Sequence, residues 1–349
     1  MNVMASDFGP HNSLAATMNA GQQALPHPIF VVGSYRSGTS IFAWCLGQHP
    51  NIVNLPETNW LYRFTLTLPE LYRLGTVNGR HSHLGQIGLS EDGFFAHMGQ
   101  VLDAFIRETN TVLIARTEAA VGRKNPHLRR RRSPDEPKAR WVDATPENSH
   151  YVLPLARLFP GARFIHLLRD PHAVARSLMK FSTVGGAARD YERDEAYRAW
   201  LRLVRACVAA ENALGPDRVL RIRYEDLIAE PEDTLKRCLG FVGEQWAPAC
   251  LEPLQRKINS SSVEATTNGG EAGEISAVAR EADDYFRGLI EMGQKRETDA
   301  EALAELERTF SEQCAAVTGA RSMGENVEQA PTDGARSMGG NVEEVPPST

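Results

Sequence analysis

The sequence predicts an α/β fold, a central parallel sheet with helices packed on both faces. Two observations lead there. Short apolar runs of strand length alternate with longer helical stretches between residues 28 and 245. The strongest of those runs is apolar at consecutive positions, as in strands buried on both sides.

Taken in order, HPIFVVGS, residues 27–34, reads as the first strand, and GTSIFAWCLGQHP as a helix that stops before Pro50. NIVNLP, residues 51–56, reads as the second strand. Residues 58–110 read as helical, with glycine-rich interruptions at 75–88, and residues 123–140 as a polar loop. DATPENSHYVLPLARLFP then opens a helix with Thr145 as its cap, Pro146 in its first turn and Glu147 after it. ARFIHLL is the third strand, and Asp170-Pro171 starts the next helix. An amphipathic helix covers about 190–213, RVLRIRY is the fourth strand, and a helix follows at about 231–243. Two C-terminal helices lie near 277–292 and 297–317.

No boundary interrupts this pattern, so residues 28–318 form one predicted domain. Residues 1–27 read as a disordered leader. Residues 319–349 read as a disordered tail holding two near-copies, GARSMGENVEQAP and GARSMGGNVEEVP, fifteen residues apart. Two polar copies cannot build a core, and a repeat array needs three or more units. A duplicated partner-binding motif is the sharper alternative.

The 349 residues are 42% hydrophobic and 23% charged, which fits a soluble globular protein. A net charge of −6 argues against whole-surface nucleic-acid binding. The five cysteines include no C-x-x-C, so neither a zinc knuckle nor a disulfide framework is expected. The first 27 residues hold no apolar run fit for a signal or a membrane span. The expectation is a cytoplasmic protein without a membrane anchor. His81 and His83 lack a third ligand at helpful spacing, so no metal is assigned.

GSYRSGTS, residues 33–40, is a glycine-rich turn between a buried strand and a helix start. Such a turn offers several N–H groups and the helix dipole to an anion. Read as G-x-x-x-x-G-K-[ST], it carries Thr39 where nucleoside-triphosphate enzymes have their lysine. Arg36 supplies a cation from inside the loop. Gly33, Ser34, Tyr35, Arg36, Ser37, Gly38, Thr39 and Ser40 therefore suit a compact dianion better than Mg-ATP. An ordinary strand-to-helix turn is the alternative.

The loop resembles the 5′-phosphosulfate loop of sulfotransferases that use PAPS, 3′-phosphoadenosine 5′-phosphosulfate, with Tyr35 where proline is common. The resemblance implies a P-loop-like three-layer α/β/α fold with a helical C-terminal part. Ligands of open parallel sheets bind at the carboxyl ends of strands, and three further strand ends agree with the likeness. In LLRDPHAVARS, Arg169 and Ser177 lie eight residues apart, as in the family's 3′-phosphate motif; a structural Arg169–Asp170 pair is the alternative. HPNIVNLPET resembles the segment of tyrosylprotein and glycan sulfotransferases whose glutamate, here Glu57, takes the acceptor proton. A surface or capping glutamate is the alternative. YEDLIAEPEDTLKRCLGFVG resembles the family's YEDL segment, whose tyrosine, here Tyr224, lies against the adenine site, unless it is a plain core or surface residue.

By resemblance the chain is a sulfotransferase that moves the sulfuryl group of PAPS to a hydroxyl of a carbohydrate, phenol, peptide or lipid and releases PAP. The catalytic candidates are Glu57 and Arg36. No metal is required, and the oligomeric state is not readable. A nucleotide kinase or NTPase on the same fold, and a non-catalytic PAP-binding member, are the competing functions. The pattern departs at Ala144, where many relatives carry a lysine that stabilises leaving-group charge. Asp143 is either a second acidic group near the acceptor or a brace. QRKINSSS offers Arg256, Lys257, Ser260 and Ser261 as a loose match to the loop that closes over the nucleotide. Residues 123–140 carry eight Lys/Arg against two Asp/Glu. They read as a solvated loop, or as a lip that attracts an anion.

Overall fold

The structure is a computed structural model, and it describes residues 27–124, 138–184, 191–255, 276–295 and 297–322. Five strands form one parallel sheet in the order β2-β3-β1-β4-β5. They are β1 (Ile29–Gly33), β2 (Ile52–Asn54), β3 (Arg140–Asp143), β4 (Arg163–Leu168) and β5 (Val219–Arg223). The expected α/β class holds, with one strand more than the sequence pattern predicts. β3 is the addition. It is only RWVD, too short and too charged at its ends to stand out as an apolar run, yet every residue of it is buried. The expected third and fourth strands are thus β4 and β5.

The helices are α1 (Thr39–Gly47), α2 (Leu61–Thr65), α3 (Leu68–Thr76), α4 (His83–Gln86) and α5 (Glu91–Lys124), followed after β3 by α6 (Val152–Leu158). Then come α7 (Pro171–Val184), α8 (Arg193–Leu214), α9 (Tyr224–Ala229), α10 (Pro231–Val242), α11 (Ala277–Met292) and α12 (Ala300–Ser322). The expected helix after β3 begins instead as a 3-10 turn, Pro146–His150. The Thr145 side chain does not cap it. It bonds sideways to Asp143 and Thr58. Asp170 does begin α7 as expected, its Oδ1 accepting from Ala173 N at 2.7 Å.

Strand residues alternate between two cores. Phe30, Val32, Val53, Trp141 and Phe164 face a layer that includes α2, α5, α6, α8 and α12. Ile29, Val31, Ile52, Val142, Ile165 and Leu167 face α1, α9 and α10. A third cluster joins α7, α8 and α11. All five strands point the same way, so the carboxyl ends of β1, β2, β3, β4 and β5 gather at one edge, where ligands of such sheets bind. The leader at 1–26, most of the tail and most of the basic stretch lie outside the described residues. The described end of that stretch is no solvent lip. Lys138 is buried and donates to the carbonyls of Gly47, His49 and Ile52 at 3.0, 3.0 and 2.6 Å, and Arg140 is buried against Glu244.

Candidate functional site

The loop between β1 and α1 is tight. Gly33 has φ 151°, and a Cβ there would lie 2.6 Å from Leu167 O on the neighbouring strand. Arg36 has φ 61°, the left-handed region that costs a non-glycine residue about 1–2 kcal/mol. Gly38 has φ 97° and stands immediately before α1. The first-turn amides of α1 have no intrahelical acceptor, which makes them available to an anion.

The loop's own hydroxyls divide. Ser37 is fully buried and donates to Ser34 O, while Ser34 Oγ donates to Tyr35 O at 2.9 Å. Thr39 is buried and Ser40 exposed.

Arg36, Arg169 and Ser177 meet. Arg36 Nε donates to Ser177 Oγ at 3.1 Å. Arg169 Nη1 donates to Arg36 O at 2.8 Å, and its guanidinium lies 4.1 Å from the centre of the Tyr224 ring. A Cβ on Gly38 would fall 2.6 Å from that same ring. Gly38 therefore lets the ring of Tyr224, the first residue of α9, pack against the loop. Burial lowers the pKa of Arg36, and the nearby Arg169 lowers it further. Two guanidiniums brought this close are an arrangement that an anion relieves.

Glu57 follows β2 in a segment tied to the sheet. Leu55 N donates to Val142 O at 2.9 Å, and Thr58 N to Thr145 Oγ1 at 2.7 Å. Burial raises the Glu57 carboxyl to about 7, helped by the charges of Glu147 and Asp143. Its Oε2 is buried without a hydrogen-bond partner among the described residues. A carboxyl titrating there is matched to accepting a proton near neutral pH.

Asp143 is a brace. It accepts from Thr145 N at 2.9 Å, Thr145 Oγ1 at 2.6 Å, Asn148 Nδ2 at 2.9 Å and Thr58 Oγ1. Those bonds fix the turn after β3, and Glu147 joins Asp143 as an acidic group bearing on Glu57. Ser149 completes the turn's attachment. It accepts from Gly33 N at 2.9 Å and donates to Gly33 O at 3.0 Å. Sequence reasoning did not assign Glu147, Ser149 or Thr58 to the site. The missing signal was β3, since TPENS is the polar run at its carboxyl end. Arg256, Lys257, Ser260 and Ser261 lie outside the described residues. Among the described residues no group of three His, Cys, Asp or Glu could hold a metal ion, and no helix is long and apolar enough to cross a membrane.

A sequence model described as the Sulfotransferase family matches residues 28–248. Protein-tyrosine sulfotransferase 2 of Gallus gallus is 25% identical over 247 residues, 69% of this chain and 58% of that one. Protein-tyrosine sulfotransferase 1 of Danio rerio is 26% identical over 273 residues, 74% of this chain and 68% of that one. Omega-hydroxy-beta-dihydromenaquinone-9 sulfotransferase Stf3 of Mycobacterium tuberculosis is 30% identical over 105 residues, 28% of this chain and 27% of that one. Among solved structures, the sulfotransferase domain from the curacin biosynthetic pathway aligns with 86% of this chain and 99% of that one, at 21% identity and a TM-score of 0.39. The chain spans 58% of the Gallus gallus relative's length and 39% of the Drosophila melanogaster relative's.

Proposed function

This chain belongs to the sulfotransferase family, and we propose that it transfers the sulfuryl group of PAPS to a hydroxyl acceptor, releasing PAP. The observation that carries this is the meeting of Arg36, Arg169 and Ser177 at the start of α1, with Glu57 in the segment after β2 at the same carboxyl edge of the sheet.

In this mechanism the loop at 33–40 and the first turn of α1 hold the 5′-phosphosulfate. Arg169 and Ser177 hold the 3′-phosphate, with Tyr224 against the adenine. The acceptor oxygen attacks sulfur in line, and Glu57 takes the hydroxyl proton as the new O–S bond forms. The bond from sulfur to the 5′-phosphate oxygen breaks, and its electron pair stays on PAP. Arg36 and the loop amides stabilise that growing charge. Ala144 supplies no cation here, and Arg36 is the loop's own cation for this step. Relatives are named for protein tyrosine and for an omega-hydroxy-dihydromenaquinone. Their common chemistry is a hydroxyl, and the acceptor class here is proposed no further than that.

Thermal-shift measurement with PAP, AMP and ATP–Mg tests the donor site. Stabilisation by PAP above AMP supports it, while stabilisation by ATP–Mg and none by PAP points to an NTPase. Transfer of labelled sulfate from PAPS to a mixed pool of sugars, phenols, peptides and lipid alcohols separates an enzyme from a PAP-binding module.

A further inference from the structure

The turn after β3 is locked to both halves of the candidate site. Ser149 clasps Gly33 at the head of the phosphate loop through two hydrogen bonds. Thr145 receives Thr58 N, the residue after Glu57, and Asp143 receives the Thr58 hydroxyl. Between these anchors, Tyr35 reaches out of the loop and its hydroxyl donates to Glu147 Oε1 at 3.2 Å. Tyr35 stands where proline is common in the resembling loops, and proline has no hydroxyl to donate.

Three carboxyl groups therefore share one small region, and their hydrogen bonds differ. Asp143 accepts four. Glu147 accepts from Tyr35. Glu57 Oε2 is buried and accepts none among the described residues. A hydrogen bond donated to a carboxylate favours its charged form. Thr58, next to Glu57, is bonded into the turn that carries Glu147, and between interacting carboxyl groups the proton favours the one with fewer donors. The charged groups bearing on Glu57 are Glu147 and Asp143. Tyr151 also lies near Glu147, and burial, Tyr62 and that glutamate push its hydroxyl up to about 12, so it stays neutral throughout the working range.

We propose that the Tyr35–Glu147 hydrogen bond is a positioning device for Glu57: it fixes an ionised carboxylate beside the candidate base and so directs the acceptor's proton onto Glu57 rather than Glu147. This rests on the reading of Glu57 as the base. Tyr35 and Glu147 touch neither the reacting oxygen nor sulfur in this scheme. They set where the proton resides. The tyrosine thereby links the loop that holds the donor to the group that receives the proton.

The test is a carbon-13 NMR titration of the glutamate carboxyls in the full chain, with Glu57→Gln identifying the Glu57 resonance. Without the tyrosine hydroxyl, Glu147 competes for the proton, so Tyr35→Phe lowers the Glu57 midpoint. Glu147→Gln removes the neighbouring charge and lowers it further, by about one pH unit. The acid limb of sulfate transfer from PAPS moves the same way in both variants. A Glu57 midpoint in Tyr35→Phe that is unchanged or raised overturns the proposal, whatever Glu147→Gln does. Failure of the base reading looks different: Glu57→Gln then keeps full transfer activity, while the titration shifts stand.

Discussion

Arg36 Nε donates to Ser177 Oγ across 3.1 Å, although 141 residues separate them in the chain. The bond ties the loop after β1 to α7, and it brings together the side chains proposed for the two phosphate groups of the donor. Ser177→Ala removes one of the donors proposed for the 3′-phosphate. A hydrogen bond to a charged group is worth about 1.5–3 kcal/mol, roughly 10- to 150-fold in Kd. Calorimetry is expected to show PAP binding weakened by that range, with AMP binding little changed. Equal losses for PAP and AMP would place Ser177 away from the 3′-phosphate.

Arg36 holds a backbone conformation that favours glycine, and burial together with Arg169 disfavours its charge. Both costs suit a residue kept for binding rather than for folding. Arg36→Gly is expected to raise the ligand-free Tm by about 2–4 °C, the equivalent of ~1 kcal/mol in a chain of this size, while abolishing stabilisation by PAP. A lower Tm would mean that Arg36 braces the fold.

Gly38 and Tyr224 are complementary. A Cβ at Gly38 overlaps the tyrosine ring, and φ 97° strains any side chain placed there. Gly38→Ala is expected to destabilise by about 2–4 kcal/mol and to expel the ring from its place on Arg169. Tyr224→Ala in the same chain removes the overlap and leaves the strain. A double-mutant cycle by urea denaturation is expected to show coupling of about 1 kcal/mol or more. Simple additivity would disprove the contact.

Away from the site, Glu211 is buried between two cations. It accepts from Arg221 Nε at 3.0 Å, from Arg221 Nη2 and from His166 Nδ1. Burial alone would lower the pKa of His166, but Cys207 and Glu211 outweigh it and raise the value to about 9. A histidine raised on folding stabilises fully below its ordinary value near 6.5, and the gain disappears as pH rises through about 9. Wild-type stability is therefore expected to fall between pH 6.5 and 9. Glu211→Gln is expected to cost about 3–5 kcal/mol at pH 6 and to flatten that slope, measured by urea denaturation. A slope unchanged in the variant would remove His166 from the account.

The sheet class and the tight turn between β1 and α1 were legible because each rests on local pattern: apolar runs, and two glycines five residues apart. β3 was not, because four residues with Arg140 and Asp143 at the ends carry no periodic signal. Its burial comes from pairing with β1 and β2, contacts across more than 85 residues. Losing β3 hid the turn after it, and with that turn Glu147 and the Ser149 clasp. The role of Asp143 stayed open in the sequence for a similar reason. Only the arrival of Thr58 from another segment shows that its acceptor capacity is used for bracing.

Glu57 joins function to stability with opposite signs. Its carboxyl is held near 7 in the fold, by burial first and then by Glu147 and Asp143, against an ordinary value of about 4.3 unfolded. As a base it must be ionised, so kcat/KM for transfer from PAPS is expected to rise with pH through about 7 and then level. Glu57→Gln is expected to reduce transfer by about 10²-fold or more at all pH values. For stability, the folded chain binds this proton more tightly than the unfolded chain. The group's contribution is therefore intact at low pH and is lost as pH rises from about 4.3 to 7. Above pH 7 the wild type keeps an ionised, part-buried carboxylate beside Glu147. Glutamine has the same shape without the charge, so the variant is expected to be more stable at pH 8, by on the order of 1–3 kcal/mol. At pH 4 the two proteins are expected to be nearly equal. Denaturant melts at both pH values, run beside the transfer assay, check the two signs together. An inactive variant without that gain at pH 8 would show a well-solvated Glu57, and the burial on which its base strength rests would be wrong.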